Sequence, residues 1–134
     1  MDSVWEGAIK RGEVQHVRDL LERGTNIDSL DRHGQTAIML AAHAGHLEVV
    51  DLLIAHRASL DPTAKYGLSA LMLAIVAGHA DIAQLLAESG ADLSLRGSGA
   101  PGFAGKTAYD LAIERGMRDL FAALKPKPPQ ASTQ

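Results

Sequence analysis

The feature that most constrains the fold is a period. Glycines stand at Gly12, Gly45 and Gly78, each 33 positions after the last, and Gly34 and Gly67 keep the same step. Leu20, Leu53 and Leu86 repeat with it, as do Ala8, Ala41 and Ala74, and also Trp5, Ile38 and Leu71. Such agreement makes the chain an array of like units, each of which buries its apolar face only by stacking on a neighbour.

Each unit has the same physical grammar. A hydroxyl residue (Ser3, Thr36, Ser69) stands where a helix begins, able to accept from its orphan N–H groups. A short helix follows, as in TAIMLAAHA from Thr36, whose Ala41 and Ala42 permit close helix approach. Gly45 stops it, and a second helix runs from Leu47 as LEVVDLLIAH. Val49, Val50, Leu52 and Leu53 form its apolar stripe, and Glu48 and Asp51 face out. Gly24 and Gly90 then end second helices in the manner of a left-handed cap. With aromatics at only 4%, the core must come from Ala, Leu, Ile and Val, which suits closely packed helices.

The stretch DRHGQTAIMLAAHAGHLEVVDLLIAHRASLD, residues 31–61, resembles an ankyrin repeat nearly end to end. The resemblance covers about residues 3–125 in four units, 3–30, 31–63, 64–96 and 97–125, the terminal ones divergent. It implies an all-α repeat solenoid of stacked helix-turn-helix units with short β-hairpin loops. Residues 1–125 are then a single domain, and Pro-rich 126–134 reads as a disordered tail, since Pro126 cannot continue a helix.

Departures from the family pattern carry their own expectations. The Thr-Pro-Leu-His start becomes TAIM, SALM and TAYD, so Ala37, Ala70 and Ala108 replace Pro, and Met39, Met72 and Asp110 replace His. The family's Thr–His hydrogen bond is therefore absent. Arg57 occupies the left-handed helix-ending place of Gly24 and Gly90, a strained position for a side chain. Ser3 with Glu6, and Thr107 with Asp110, have capping-box spacing. His16 and Asp19 fall where inner units carry Val49 and Leu52, as befits a face without a neighbour.

One motif competes with this reading. APGFAGKT, residues 100–107, fits a relaxed phosphate-binding loop, in which glycine-rich backbone cradles phosphate and Lys reaches it. In register, however, Thr107 lies 38 positions after Ser69, so the last hairpin is five residues longer than the others. A nucleotide loop also needs a buried strand before it and a magnesium-binding acid on another, and an array of helices supplies neither. A small nucleotide-binding protein using residues 96–107 is kept as the alternative.

Other chemistry is sparse. The chain has no cysteine, which removes disulfides, zinc thiolates and a Cys nucleophile. His43 and His46 are three apart, but Gly45 interrupts the helix between them, and His46 and His79 are repeat-equivalent, which favours a structural role. Asp110 and Glu114 read as a cap and a solvated surface acid. No catalytic set, metal site or cofactor is expected, and the chain reads as a non-enzyme. Net charge is −3, which gives no case for nucleic acid. No run approaches the roughly 18 apolar residues of a membrane span. The N-terminus, MDSVWEGAIKRG, has no apolar stretch of signal-peptide length. A soluble, cytoplasmic monomer is the expectation.

What remains is surface. The ankyrin resemblance implies that partners dock on hairpin tips and the concave face of the first helices. Mapped onto this chain, that face holds Lys10, Arg11, Arg32, His33, Gln35, His43, Lys65, Tyr66, Leu68, Phe103, Lys106 and Arg115, with Ala44, Val76, Ala77, Ala104 and Glu114 beside them. It is richer in Lys and Arg than in acids. The second helices hold Glu13, Glu22, Glu48, Asp51, Asp81, Glu88 and Asp119. A mildly basic face against an acidic back is therefore expected, with Tyr66, Phe103 and Leu68 as exposed apolar anchors. The function that follows is protein–protein interaction, as a scaffold-like module for an acidic or mixed polar protein surface.

Overall fold

A computed structural model of the chain describes residues 1–125. The expected Pro-rich tail, residues 126–134, lies outside the described residues. Among the described residues eight α-helices run in pairs: α1 (Ser3–Arg11) with α2 (Val14–Glu22), α3 (Ala37–Ala44) with α4 (Leu47–Ala55), α5 (Ala70–Val76) with α6 (Ala80–Glu88), and α7 (Ala108–Glu114) with α8 (Phe121–Leu124). Short 3₁₀ turns sit at Lys65–Gly67 and Arg118–Leu120. A short link folds each second helix back on its first. Along the array α1, α3, α5 and α7 pack in succession, as do α2, α4, α6 and α8.

The helices start where local chemistry demands. Thr36, Ser69 and Thr107 are buried in extended conformation, and their hydroxyls accept from the backbone N–H of Met39, Met72 and Asp110. Thr107 and Asp110 form a full capping box, since the Asp110 carboxylate accepts in return from Thr107 N–H at 3.0 Å. At Thr36 the Met39 sulfur takes that second place at 3.4 Å, a weaker partner where the family pattern has His. The box expected at Ser3 and Glu6 does not form. Asp2 caps α1 instead, accepting from Val4 and Trp5 N–H, and Glu6 pairs with Lys10. Starting one residue early places a carboxylate at the positive end of the helix, where it satisfies orphan donors and complements the dipole.

Glycine ends the first helices for two reasons at once. Gly12 and Gly45 are left-handed, at φ 69 and 84, and their N–H groups bond the last carbonyls of α1 and α3. Each is also the seat of a histidine ring from the next unit. A Cβ at Gly12 would lie 2.6 Å from His46 Nδ1, and one at Gly45 2.7 Å from His79 Cε1. From there His46 Nε2 donates to the Lys10 carbonyl at 2.9 Å and His79 Nε2 to the His43 carbonyl at 3.2 Å. The repeat-equivalent histidines are stitches between units. Carboxylates stitch the other end: Asp28 accepts from Ser59 N–H and hydroxyl, and Asp61 from Asp92 N–H.

The core follows the predicted stripes. Val49, Val50, Leu52 and Leu53 are buried, and Ala8, Ala41, Ala42, Ala74 and Ala112 are fully enclosed where first helices approach. His16 and Asp19 are half-buried at the N-terminal end of the stack. Arg57 is left-handed at φ 64, as its register with glycine requires. The β-hairpin loops are reduced to hydrogen-bonded tips. Asp31 N–H donates to Gln35 O, Ala64 N–H to Leu68 O and Gly97 N–H to Lys106 O. Among the described residues no strand forms, and one isolated bridge joins Gly97 to Ala104.

Candidate protein-interaction surface

The tips and the first helices present most of the predicted contact residues to solvent. Lys10, Arg11, Arg32, His33, His43, Lys65 and Arg115 are exposed, and Gln35, Phe103 and Lys106 are half-buried. Leu68 is not a surface anchor: it is 5% exposed and belongs to the core. Its carbonyl accepts from Ala64 N–H as that of its register partner Gln35 does from Asp31 N–H, so the backbone bond is shared. The difference is one of side chain: the apolar Leu68 packs into the core and the polar Gln35 stays half-exposed.

The charge on this face is largely neutralised by the chain itself. Lys10 pairs with Glu6 at 2.6 Å, one helical turn away. Arg11 donates from Nε and Nη2 to Glu13 at 3.1 and 3.2 Å. The guanidinium, with His16 as second partner, holds the exposed Glu13 carboxyl below its ordinary value. Lys106 pairs with Glu114, and Arg115 lies 3.8 Å from the same carboxylate. Glu114 is thus a salt-bridge partner and not a lone surface acid. Beside the mildly basic set mapped onto this face, Glu6, Glu13 and Glu114 thus stand against four of its six cations. Arg32 and Lys65, both on tips, make no ion pair among the described residues.

The long hairpin is folded as a clasp against its neighbour. Ser98 N–H donates to the Tyr66 carbonyl at 2.8 Å, and the rings of Tyr66 and Phe103 meet at 5.5 Å between centroids, tilted by 34°. Lys65 places its ammonium 4.9 Å from the Tyr66 ring centre, a cation–π contact. A Cβ at Gly97 would overlap the Phe103 carbonyl oxygen, so glycine there permits the chain to close on itself. Tyr66 itself is left-handed at φ 63 and 37% exposed.

That closure uses most of the backbone donors that would cradle a phosphate. The N–H groups of Gly97, Ala100, Phe103, Ala104, Gly105 and Lys106 all donate to carbonyls within the hairpin, and Thr107 N–H donates to Asp110. Lys106, the residue that would reach a phosphate, is held by Glu114. This geometry does not favour the alternative nucleotide reading. His43 and His46 do not converge on a metal, since His46 is bonded to the Lys10 carbonyl, and no metal-holding cluster of acids and histidines occurs among the described residues. Nor is any described helix long and apolar enough to cross a membrane.

Four stacked helix pairs with projecting tips define a helical-repeat protein of the interaction type. The ankyrin-repeat family, described as ankyrin repeats in three copies, matches residues 6–97, and the chain belongs to it. The match stops where the long hairpin begins. Osteoclast-stimulating factor 1 of Xenopus laevis is 38% identical over 55 residues, 41% of this chain and 26% of that protein. The same protein from Monopterus albus is 39% identical over 54 residues, 40% of this chain and 25% of that one. The matched stretch therefore spans about a quarter of these relatives. Among solved structures, a chain from the complex of the Bdellovibrio bacteriovorus predatory endopeptidase Bd0816 with immunity protein Bd3460 superposes with a TM-score of 0.81. It is 22% identical, over 92% of this chain and 62% of that one, and the likeness is one of fold.

Proposed function

We propose that residues 1–125 act as one non-catalytic interaction domain that binds another protein through its hairpin tips and the adjoining first-helix ends. The observation that carries this reading is the division of labour among polar side chains. Hydroxyls cap helices, histidines and aspartates stitch units, and the chemistry of the long hairpin is satisfied internally. On the tips and first-helix ends this leaves a group of exposed or half-exposed polar and aromatic side chains: Lys10, Arg11, Arg32, His33, Gln35, His43, Lys65, Tyr66, Phe103, Lys106 and Arg115. A partner with an acidic or mixed polar surface fits them, as a monomeric module in the cytoplasm would use them. Binding of this kind is salt-sensitive in rate more than in final affinity.

Hydrogen exchange on the complex with a protein captured from the native host tests the reading. Protection is expected at residues 31–35, 64–68 and 96–106 and at the ends of α1, α3 and α7. Protection confined to α2, α4 and α6 would sink it.

A further inference from the structure

We infer that the hot spot of this surface is the row of tips formed by Arg32, Lys65, Tyr66 and Phe103, and that it reads an acidic peptide segment carrying an aromatic or large aliphatic anchor. The inference deepens the interaction reading above and rests on it.

Two independent observations converge on the tips. The first is charge. Of the six cations on the expected face, Lys10, Arg11, Lys106 and Arg115 already meet carboxylates of their own chain, whereas among the described residues Arg32 and Lys65 do not. These two are repeat-equivalent, 33 positions apart, so they stand on neighbouring tips. The Asp31 carboxylate beside them is occupied by the N–H groups of His33 and Gln35. On that face, positive charge not already paired is therefore concentrated on the tips.

The second is strain. A bulky residue at positive φ is an outlier, and such strain persists only where surrounding structure over-determines it. At Tyr66 it does. The carbonyl of Tyr66 is held by Ser98 N–H, its ring is braced by Phe103 and Lys65, and a Cβ added at Gly99 would lie 3.3 Å from its Cδ1. The five extra residues of the last hairpin supply that bracing, and with it an exposed aromatic edge and a phenol beside an ammonium. Aromatic and cationic anchors of this kind dominate interfaces. A carboxylate matches Lys65 and Arg32, and an apolar side chain matches the Tyr66–Phe103 pair. A basic or wholly apolar segment matches neither.

Random linear peptides displayed on phage, selected against the intact chain, test this, followed by calorimetric titration of the enriched peptide. Enriched sequences are expected to place Asp or Glu around an aromatic or large aliphatic residue. Lys65→Glu and Arg32→Glu should each weaken that peptide about tenfold, the scale of one lost hot-spot contact. Lys10→Ala and Arg115→Ala should weaken it less, and Arg18→Ala, on α2, should leave it unchanged. Tyr66→Gly should abolish measurable binding while Tm stays within about 4 °C, because relief of the left-handed strain offsets the lost ring contacts. A structural role alone would lower Tm and binding together.

Selection of basic peptides, or of none, overturns the inference. So does an acidic peptide whose binding falls with Lys10→Ala and Arg115→Ala but not with the tip variants, and that outcome leaves the interaction reading standing. An enriched peptide whose amide shifts fall on α2, α4 and α6 ends both.

Discussion

At the scale of single residues, register explains one strained side chain and hides another. Arg57 sits at φ 64 where Gly24 and Gly90 sit at φ 90 and 98, and a Cβ in that conformation costs about 1 kcal/mol. Arg57→Gly should therefore raise Tm by about 4 °C in a scanning calorimeter; a fall would mean the arginine chain contributes more than its backbone loses. Tyr66, at φ 63, has His33 as its equivalent in the second unit, so no glycine marked it. The glycines themselves separate two effects. Around Gly24 nothing lies within 4 Å of an added Cβ, whereas at Gly45 the methyl would push the His79 ring off the His43 carbonyl. Gly24→Ala should lose about 1 kcal/mol in urea denaturation and Gly45→Ala about 2 or more, the excess being the broken stitch. Equal losses would show that the histidine contact contributes nothing.

At the scale of elements, spacing located α3 and α4 within a residue of where they lie, because caps, stops and apolar stripes act over a single turn or two. The exception is instructive. Counting back 33 from Thr36 lands on Ser3, yet α1 is capped by Asp2, which lies outside the period and competes as a better anion at the helix start. Asp2→Ala should cost about 1 kcal/mol and Ser3→Ala close to nothing, measured by chemical denaturation; the reverse order would restore the repeat-based cap. The long hairpin was legible as an insertion of five residues but not as a clasp. Its bond from Ser98 to Tyr66 and its ring contact from Phe103 to Tyr66 join residues more than thirty positions apart, and no local pattern announces them.

At the scale of the molecule, units cohere through nearest neighbours, so the ends are the weak places. The last unit touches one neighbour, its second helix is four residues long, and Ile113 is 46% exposed although its equivalents Ile9, Ala42 and Ile75 are fully buried. Leu111→Ala should accelerate amide exchange in α7 and α8 far more than in α4. A uniform acceleration would instead make the array a single cooperative block. The sequence by itself determined the period, and through it the family, the helix spans, the buried stripes and the stacking order. These are products of short-range chemistry repeated at fixed steps. Only the tertiary structure decided which side chains of the tips and first helices stay exposed and unpaired. Leu68 went into the core, and Glu6, Glu13 and Glu114 claimed four cations. Three of those pairs, Lys10 with Glu6, Arg11 with Glu13 and Arg115 with Glu114, are local in sequence. The clasp that presents Tyr66 was beyond reach, because burial and charge pairing are set by neighbours in space, and the loop that creates them is the one stretch where the period breaks.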